Sequence, residues 1–174
     1  MANLGPTLIA SANANSGSVS NFVFSSIPQT YTDLMLKISV RSGNSGSQAN
    51  LGIQFNSTTT GYYGIYLITY NGSSVQSLTD SNDTASYAQY TSTNGMTSGI
   101  FGNAEIYIPN YAGSGLKVLS GDFVTENSSS TANYTGISDG YCSGFTAAIT
   151  SLTILSGANL QQYSTAYLYG IKNS

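Results

Sequence analysis

The chain has 174 residues and a mass of 18.1 kDa, enough for one domain with a core, since folding at this size buries roughly 70% of the unfolded surface. Only 6% of the residues are charged and the net charge is −3, far below the ~25% charged content of ordinary domains. The four cations, Lys37, Arg41, Lys117 and Lys172, are scattered, which argues against nucleic acid or an anionic membrane as the main partner, because both need clustered Lys and Arg.

In chain order, the first segment, Gly5 to Ser20, is rich in Ser, Asn, Ala and Gly. It reads as an N-terminal arm that docks on a neighbour or as an edge strand, so the chain divides into residues 1–20 and a β-domain over residues 21–174. Val19 to Phe24 is the first expected strand of the domain. Over Tyr31 to Arg41, Leu34, Leu36, Ile38 and Val40 share one face, while Asp33, Lys37, Ser39 and Arg41 take the other, with Met35 an exception. That alternation predicts a half-buried strand. Leu51, Ile53 and Phe55 repeat the pattern. Tyr62 to Tyr70 is the next strand, preceded by Gly61-Tyr62-Tyr63-Gly64 as a bulge or kink. Asn71-Gly72 is the clearest turn signal, because both residues tolerate the positive φ of a type I′ hairpin, and it returns the chain toward Ser77. Strands follow at Ser86 to Tyr90, at Ala104, Ile106 and Ile108, at Leu116 to Val124, Ile137 to Tyr141, Thr146 to Ile154 and Tyr163 to Ile171. No segment has the spacing of an amphipathic helix. The fold class is all-β, an antiparallel β-sandwich with a jelly roll preferred; an immunoglobulin-like sandwich is the alternative, without the Cys and Trp of antibody-type domains.

Chemistry is sparse. There is no histidine and a single cysteine, Cys142, so neither a Ser-His-Asp nor a Cys-His arrangement can be built and no disulfide framework exists. Glycoside hydrolysis needs only two carboxylates, and seven are present: Asp33, Asp80, Asp83, Glu105, Asp122, Glu126 and Asp139. Asp80-Ser81-Asn82-Asp83 offers oxygen ligands but lacks the spacing and terminal Glu of an EF-hand, and Asx-rich turns are far more common than metal sites. No enzyme activity, cofactor or metal is expected. Five Asn-x-Ser/Thr sequons, at Asn56, Asn71, Asn82, Asn127 and Asn133, are what this composition produces by chance. The start, Met1 to Ser20, has no basic n-region or long apolar run, so the chain is expected to be made and kept in a cytoplasm until it is incorporated or released. A surface this uncharged does little to keep copies apart, so self-association into a homo-oligomer is permitted.

Fourteen tyrosines and no tryptophan remain. Tyr62, Tyr66 and Tyr70 share one parity along one strand and form a candidate interface or glycan platform; Tyr163, Tyr167 and Tyr169 form a second stripe. Such stripes serve as sugar-stacking platforms, as subunit interfaces, or merely as tyrosine-rich sheet surface.

Ser25-Ser26-Ile27-Pro28-Gln29-Thr30-Tyr31-Thr32-Asp33-Leu34 resembles small virion proteins of tailed bacteriophages, notably phages of cyanobacteria and other aquatic bacteria. Ser98-Gly99-Ile100-Phe101-Gly102 and Ile106-Tyr107-Ile108-Pro109-Asn110-Tyr111-Ala112 are similar to the middle of that family. Ala148-Ile149-Thr150-Ser151-Leu152-Thr153-Ile154 and Leu168-Tyr169-Gly170-Ile171-Lys172 are similar to its end. Thr165 to Ile171 departs modestly from the usual Ser-Phe-Ser-Leu-Tyr-Gly-Ile ending. The resemblance implies a virion-associated β-sandwich without catalytic residues, a homotrimer bound to the major capsid protein as a decoration or cement subunit on the capsid surface. The alternative it leaves open is a fibre or tail module that attaches to host glycan. Within the opening motif, Pro28 fixes a turn and Asp33 starts the following strand.

Overall fold

Residues 5–127 and 133–173 are described by the computed structural model, and they are all-β. In chain order the strands are β1 Thr7–Asn13, β2 Val19–Phe24, β3 Asp33–Ser42, β4 Ala49–Phe55, β5 Tyr62–Tyr70, β6 Val75–Asp83, β7 Ser86–Thr93, β8 Gly102–Ile108, β9 Lys117–Val124, β10 Tyr134–Cys142, β11 Leu152–Leu160 and β12 Thr165–Ile171. Successive side chains on a strand point to opposite faces, so each alternating segment can send its apolar set inward and its small polar set outward.

Eight strands form one section in the order β1-β12-β3-β8-β9-β10-β5-β6, and four form another in the order β2-β11-β4-β7. The end of β3 joins the two, pairing Arg41 and Ser42 in parallel with Ser92 and Thr93 of β7. All other pairings are antiparallel. The simplest jelly roll has eight strands in two sheets. Here there are twelve, and both the β8-β9-β10 meander and the β5-β6 hairpin stay within the large section.

Both sections contribute to one core. Leu34, Leu36, Ile38 and Val40 of β3 are buried among Ile106 of β8, Leu119 and Phe123 of β9, and Leu168 of β12, together with Phe22, Phe24, Ile53 and Phe55 from the small section. Burying an aliphatic side chain of this size is worth ~1.5–3 kcal/mol, so the four of β3 are a major contribution to the core.

Two local features fix the hairpin arm. Asn71 and Gly72 have φ of 50° and 67°, the type I′ geometry expected from the sequence, and they fold β6 back along β5 with Thr69 opposite Val75. The register slips between Tyr62 and Tyr63, where Gly61 has φ 80°; this is the expected bulge. At the other end of the section, Gly170 lies under the ring of Tyr31, and a Cβ there would stand 2.3 Å from the ring. Only glycine fits that close approach.

Of the two readings of the N-terminal segment, Thr7–Asn13 takes the edge-strand one, pairing with β12 from Thr7↔Gly170 to Asn13↔Thr165. Residues 1–4 lie outside the described residues. Several expectations for the strands and charged residues that follow are corrected. Strand β6 was not expected as a separate element, and the expected strand Thr146 to Ile154 begins later, at Leu152. The residues before it are held by one side chain: Asn56 Oδ1 accepts from the N–H groups of Thr150 (2.8 Å) and Ser151 (2.9 Å), and Asn56 Nδ2 donates to Ala148 O (2.9 Å). Asp33 and Arg41, expected on the solvent face of β3, are both buried. Arg41 Nε donates to Asn94 Oδ1, and its terminal nitrogens donate to the carbonyls of Met96, Thr97 and Ile100 (2.7–2.9 Å), which ties the connection after β7 to β3. Lys117 is likewise buried, with Nζ donating to the carbonyls of Gly113, Gly115 and Thr146. With two of its four cations used in this way, the surface is even less basic than the composition suggests.

Candidate functional site

The parity of Tyr62, Tyr66 and Tyr70 is as read from the sequence, but their face is the inner one. Tyr62 and Tyr66 are fully buried, and the platform they were expected to form is not accessible. The reason is local. The Tyr62 phenol oxygen accepts from the Phe55 N–H at 2.7 Å, its ring meets Phe55 edge-on, and the Tyr66 hydroxyl donates to Asp80 Oδ2. These polar tips find partners inside, so burying the rings costs little. Burial pushes the Tyr62 phenol pKa up. Tyr70, at the end of β5, is partly exposed and packs against Tyr134 at 4.9 Å.

The opposite parity therefore faces solvent. Along β5 it presents Tyr63, Ile65 and Leu67, and in register beside them β10 presents Tyr141, Asp139 and Ile137. Strand β9 continues the rows with Val118, Ser120 and Asp122. Ile65 is 60% exposed, Ile137 52% and Val75 of β6 68%. Tyr63 and Tyr141 stack at 5.0 Å with an interplanar angle of 10°. With strands ~4.8 Å apart and same-face residues ~6.8 Å apart, this field over four strands covers roughly 400 Å². Ser120, Asp122, Asp139 and the Ser and Thr residues of β6 interrupt it, so its apolar part is smaller and falls within the size of the largest patch that an ordinary monomer exposes, which often serves binding.

Toward β12 the same face becomes a groove of about 910 Å³. One row across its floor runs Tyr167, Lys37, Glu105, Asp122, Ile137 and Leu67 on β12, β3, β8, β9, β10 and β5. Lys37 Nζ pairs with Glu105 Oε2 at 2.8 Å, both side chains about half exposed. This pair raises the Lys37 pKa, through its hydrogen bond and charge; at such exposure it contributes little stability. Of the second tyrosine stripe, Tyr167 and Tyr169 line the groove, whereas Tyr163 stands before β12 with φ 71° and is exposed elsewhere.

Of the carboxylates, Asp33 is structural: it accepts from Tyr107 Oη (2.5 Å), the Asn110 N–H (2.8 Å) and Asn173 Nδ2 (2.6 Å). Glu105 and Asp122 are direct cross-strand partners on the groove floor. Asp80 and Asp83 lie on β6 rather than in a loop, and among the described residues no group of three or more acidic, His or Cys side chains could hold a metal. The Cys142 thiol is buried, and burial pushes its pKa up, the opposite of what a nucleophile needs.

Four of the five segments that carry the sequence resemblance converge at one end of the molecule, while Ser98 to Gly102 lies at the other end of β3, beside Val40 and Arg41. The Ile27 N–H donates to Thr150 O (3.0 Å), Gln29 Nε2 to Ile149 O (2.9 Å), the Ile149 N–H to Tyr111 O (2.9 Å), the Thr32 N–H to Ile171 O (2.8 Å) and Tyr111 Oη to Pro28 O. With the Asp33 contacts they knit four distant stretches together, and they sit apart from the groove. These motifs build the fold. The exposed apolar residues missed from the sequence are Ile65, Leu67 and Ile137, of which Leu67 and Ile137 line the groove; for the two on β5 the only signal was that both parities of that strand are apolar. No family model, curated protein or solved structure matches the chain.

Proposed function

We propose that the chain is a non-catalytic structural subunit of a phage virion, a β-sandwich of jelly-roll type that decorates and stabilises the capsid as a homotrimer on the major capsid protein. The observation that carries this reading is the solvent-facing apolar field of β9, β10, β5 and β6, on a chain with only 6% charged residues. A face of this kind is expensive to leave in water and favours a permanent neighbour. Each contact can be weak, because many copies on a lattice act together. The absence of histidine and the buried thiol fit a role without covalent chemistry. A second reading, a fibre or tail module that grips host glycan, draws support from the stacked Tyr63–Tyr141 pair and from Tyr167 and Tyr169 on the groove wall, since aromatic faces suit sugar rings.

The experiment is addition of the purified chain to phage shells lacking it. Saturable binding and a higher temperature of genome release are expected, both lost with Ile65→Lys, which alters an exposed position and leaves the core intact. No binding to the shell, with retention instead on a glycan array, would replace decoration with the second reading.

A further inference from the structure

The groove has a direction. Its walls come from all seven strands from β12 to β6, and along each strand it is only about two rows wide. It therefore runs across the strands. Six inter-strand steps of ~4.8 Å give a length of roughly 29 Å, which an extended polypeptide at ~3.4 Å per residue fills with about eight or nine residues.

Its chemistry is graded along that length. Toward β10, β5 and β6 the lining turns aliphatic with Ile137, Leu67 and Val75, beside Thr135 and Thr69, while Val124 stands next to Asp122 on β9. In the middle stand Glu105 and Asp122 with a single cation, Lys37, which is committed to Glu105. Asp122 has no cation within ion-pair distance among the described residues, and Asp139 adds another carboxylate one row away. Two such faces stacked on each other would bring an excess of carboxylates together without cations to match, which disfavours a second copy of the chain. Branched aliphatic walls suit side chains better than sugar hydroxyls, which need polar partners along their whole length.

We infer that the groove takes an extended segment of a partner protein, eight or nine residues long, with one Lys or Arg over Asp122 and aliphatic side chains over Leu67 and Ile137. Asp122, Ile137 and Leu67 stand on successive strands ~4.8 Å apart, and an extended segment turns alternate side chains, ~6.8 Å apart, toward the floor, so a cation over Asp122 is followed by aliphatic side chains two and four residues further on. The inference rests on the proposed function in taking the partner as a protein of the shell, and it specifies what that partner presents.

The test uses the full chain and a labelled ten-residue peptide carrying one arginine with Leu two residues and Val four residues further on. Saturable binding in the micromolar to low-millimolar range is expected, weakened about tenfold when the arginine is replaced by glutamate, which corresponds to ~1.4 kcal/mol. In Asp122→Asn most of that difference should vanish, and Ile137→Lys, at an exposed site, should abolish binding. Equal binding of the two peptides, or no saturation, overturns the inference. So does an oligomer of the free chain that Ile137→Lys dissolves, which would assign the face to a second copy, or binding of a neutral oligosaccharide, such as dextran, that is lost with Tyr167→Ala. The two proposals fail separately: a chain seated on the shell by another face refutes the groove while leaving decoration intact, and peptide binding by a chain that never occupies the shell does the reverse.

Discussion

Asp33 joins the start of β3 to the end of β8 and to the C-terminal residues, and replacing it tests whether the knot of motif segments stabilises the fold. Asp33→Ala removes three hydrogen bonds to a carboxylate, each worth ~1.5–3 kcal/mol where the freed partner stays dry. Tyr107 is partly exposed and Asn173 exposed, so water re-solvates both and their share falls to the low end. The expected loss is about 3 kcal/mol, a large part of the 5–15 kcal/mol typical of a domain, and in a chain of this size it lowers Tm by roughly 6–12 °C. Asp33→Asn can keep the two bonds now made to Oδ2, from Tyr107 and Asn173, on its carbonyl oxygen but then turns a donor toward the Asn110 N–H, and should cost about half as much. Urea unfolding of the three proteins reads this directly, with the slope unchanged and only the midpoint moving. A loss below about 0.5 kcal/mol for Asp33→Ala would refute the claim that these motifs hold the fold.

Gly170→Ala should destabilise by at least ~2 kcal/mol in wild type, because its Cβ would meet the Tyr31 ring, and by much less in a Tyr31→Ala background; an additive pair would show that the ring is not the obstacle. Arg41→Lys keeps the charge but cannot span Asn94, Met96, Thr97 and Ile100 at once. A loss of ~1–3 kcal/mol and faster amide exchange over residues 94–100 are expected, and unchanged exchange would contradict it. Asp80 has its pKa raised above 3.8, chiefly by burial and against the Tyr66 hydrogen bond. The folded state thus binds the proton more tightly than the unfolded one, so this group's contribution to stability falls as pH rises from 3.8 through the raised value. Asp80→Asn should flatten that part of the stability profile, and an unaltered profile would show that Asp80 does not set it.

The strands were legible where one parity is apolar and the other polar. Val19–Phe24 and Tyr62–Tyr70 have the expected bounds, and β3 and β8 bury the expected sets. Strand β6 was hidden because a nearly all-polar edge strand buries little and is held by its hairpin partner, so its sequence carries no alternation. Asp33 and Arg41 look like surface residues until tertiary contacts supply their partners, which no local pattern encodes. The platform was misplaced for a related reason: in β5 both parities are apolar, Tyr62, Tyr66 and Ile68 against Tyr63, Ile65 and Leu67. The phenols went inward because Phe55 and Asp80 were there to satisfy their hydroxyls, leaving the aliphatic set outside. Periodicity identifies the two faces of a strand; it does not tell inside from outside when both are greasy.

The central claim is that the outward face of the large sheet section seats this chain on a virion shell. Cryo-electron microscopy of the purified particle at side-chain resolution tests it most directly. The account predicts density for this fold at regular sites over the shell, with Ile65, Leu67 and Ile137 against the capsid protein. Density confined to the tail or a fibre tip, or a shell-bound copy with that face open to solvent, would contradict it.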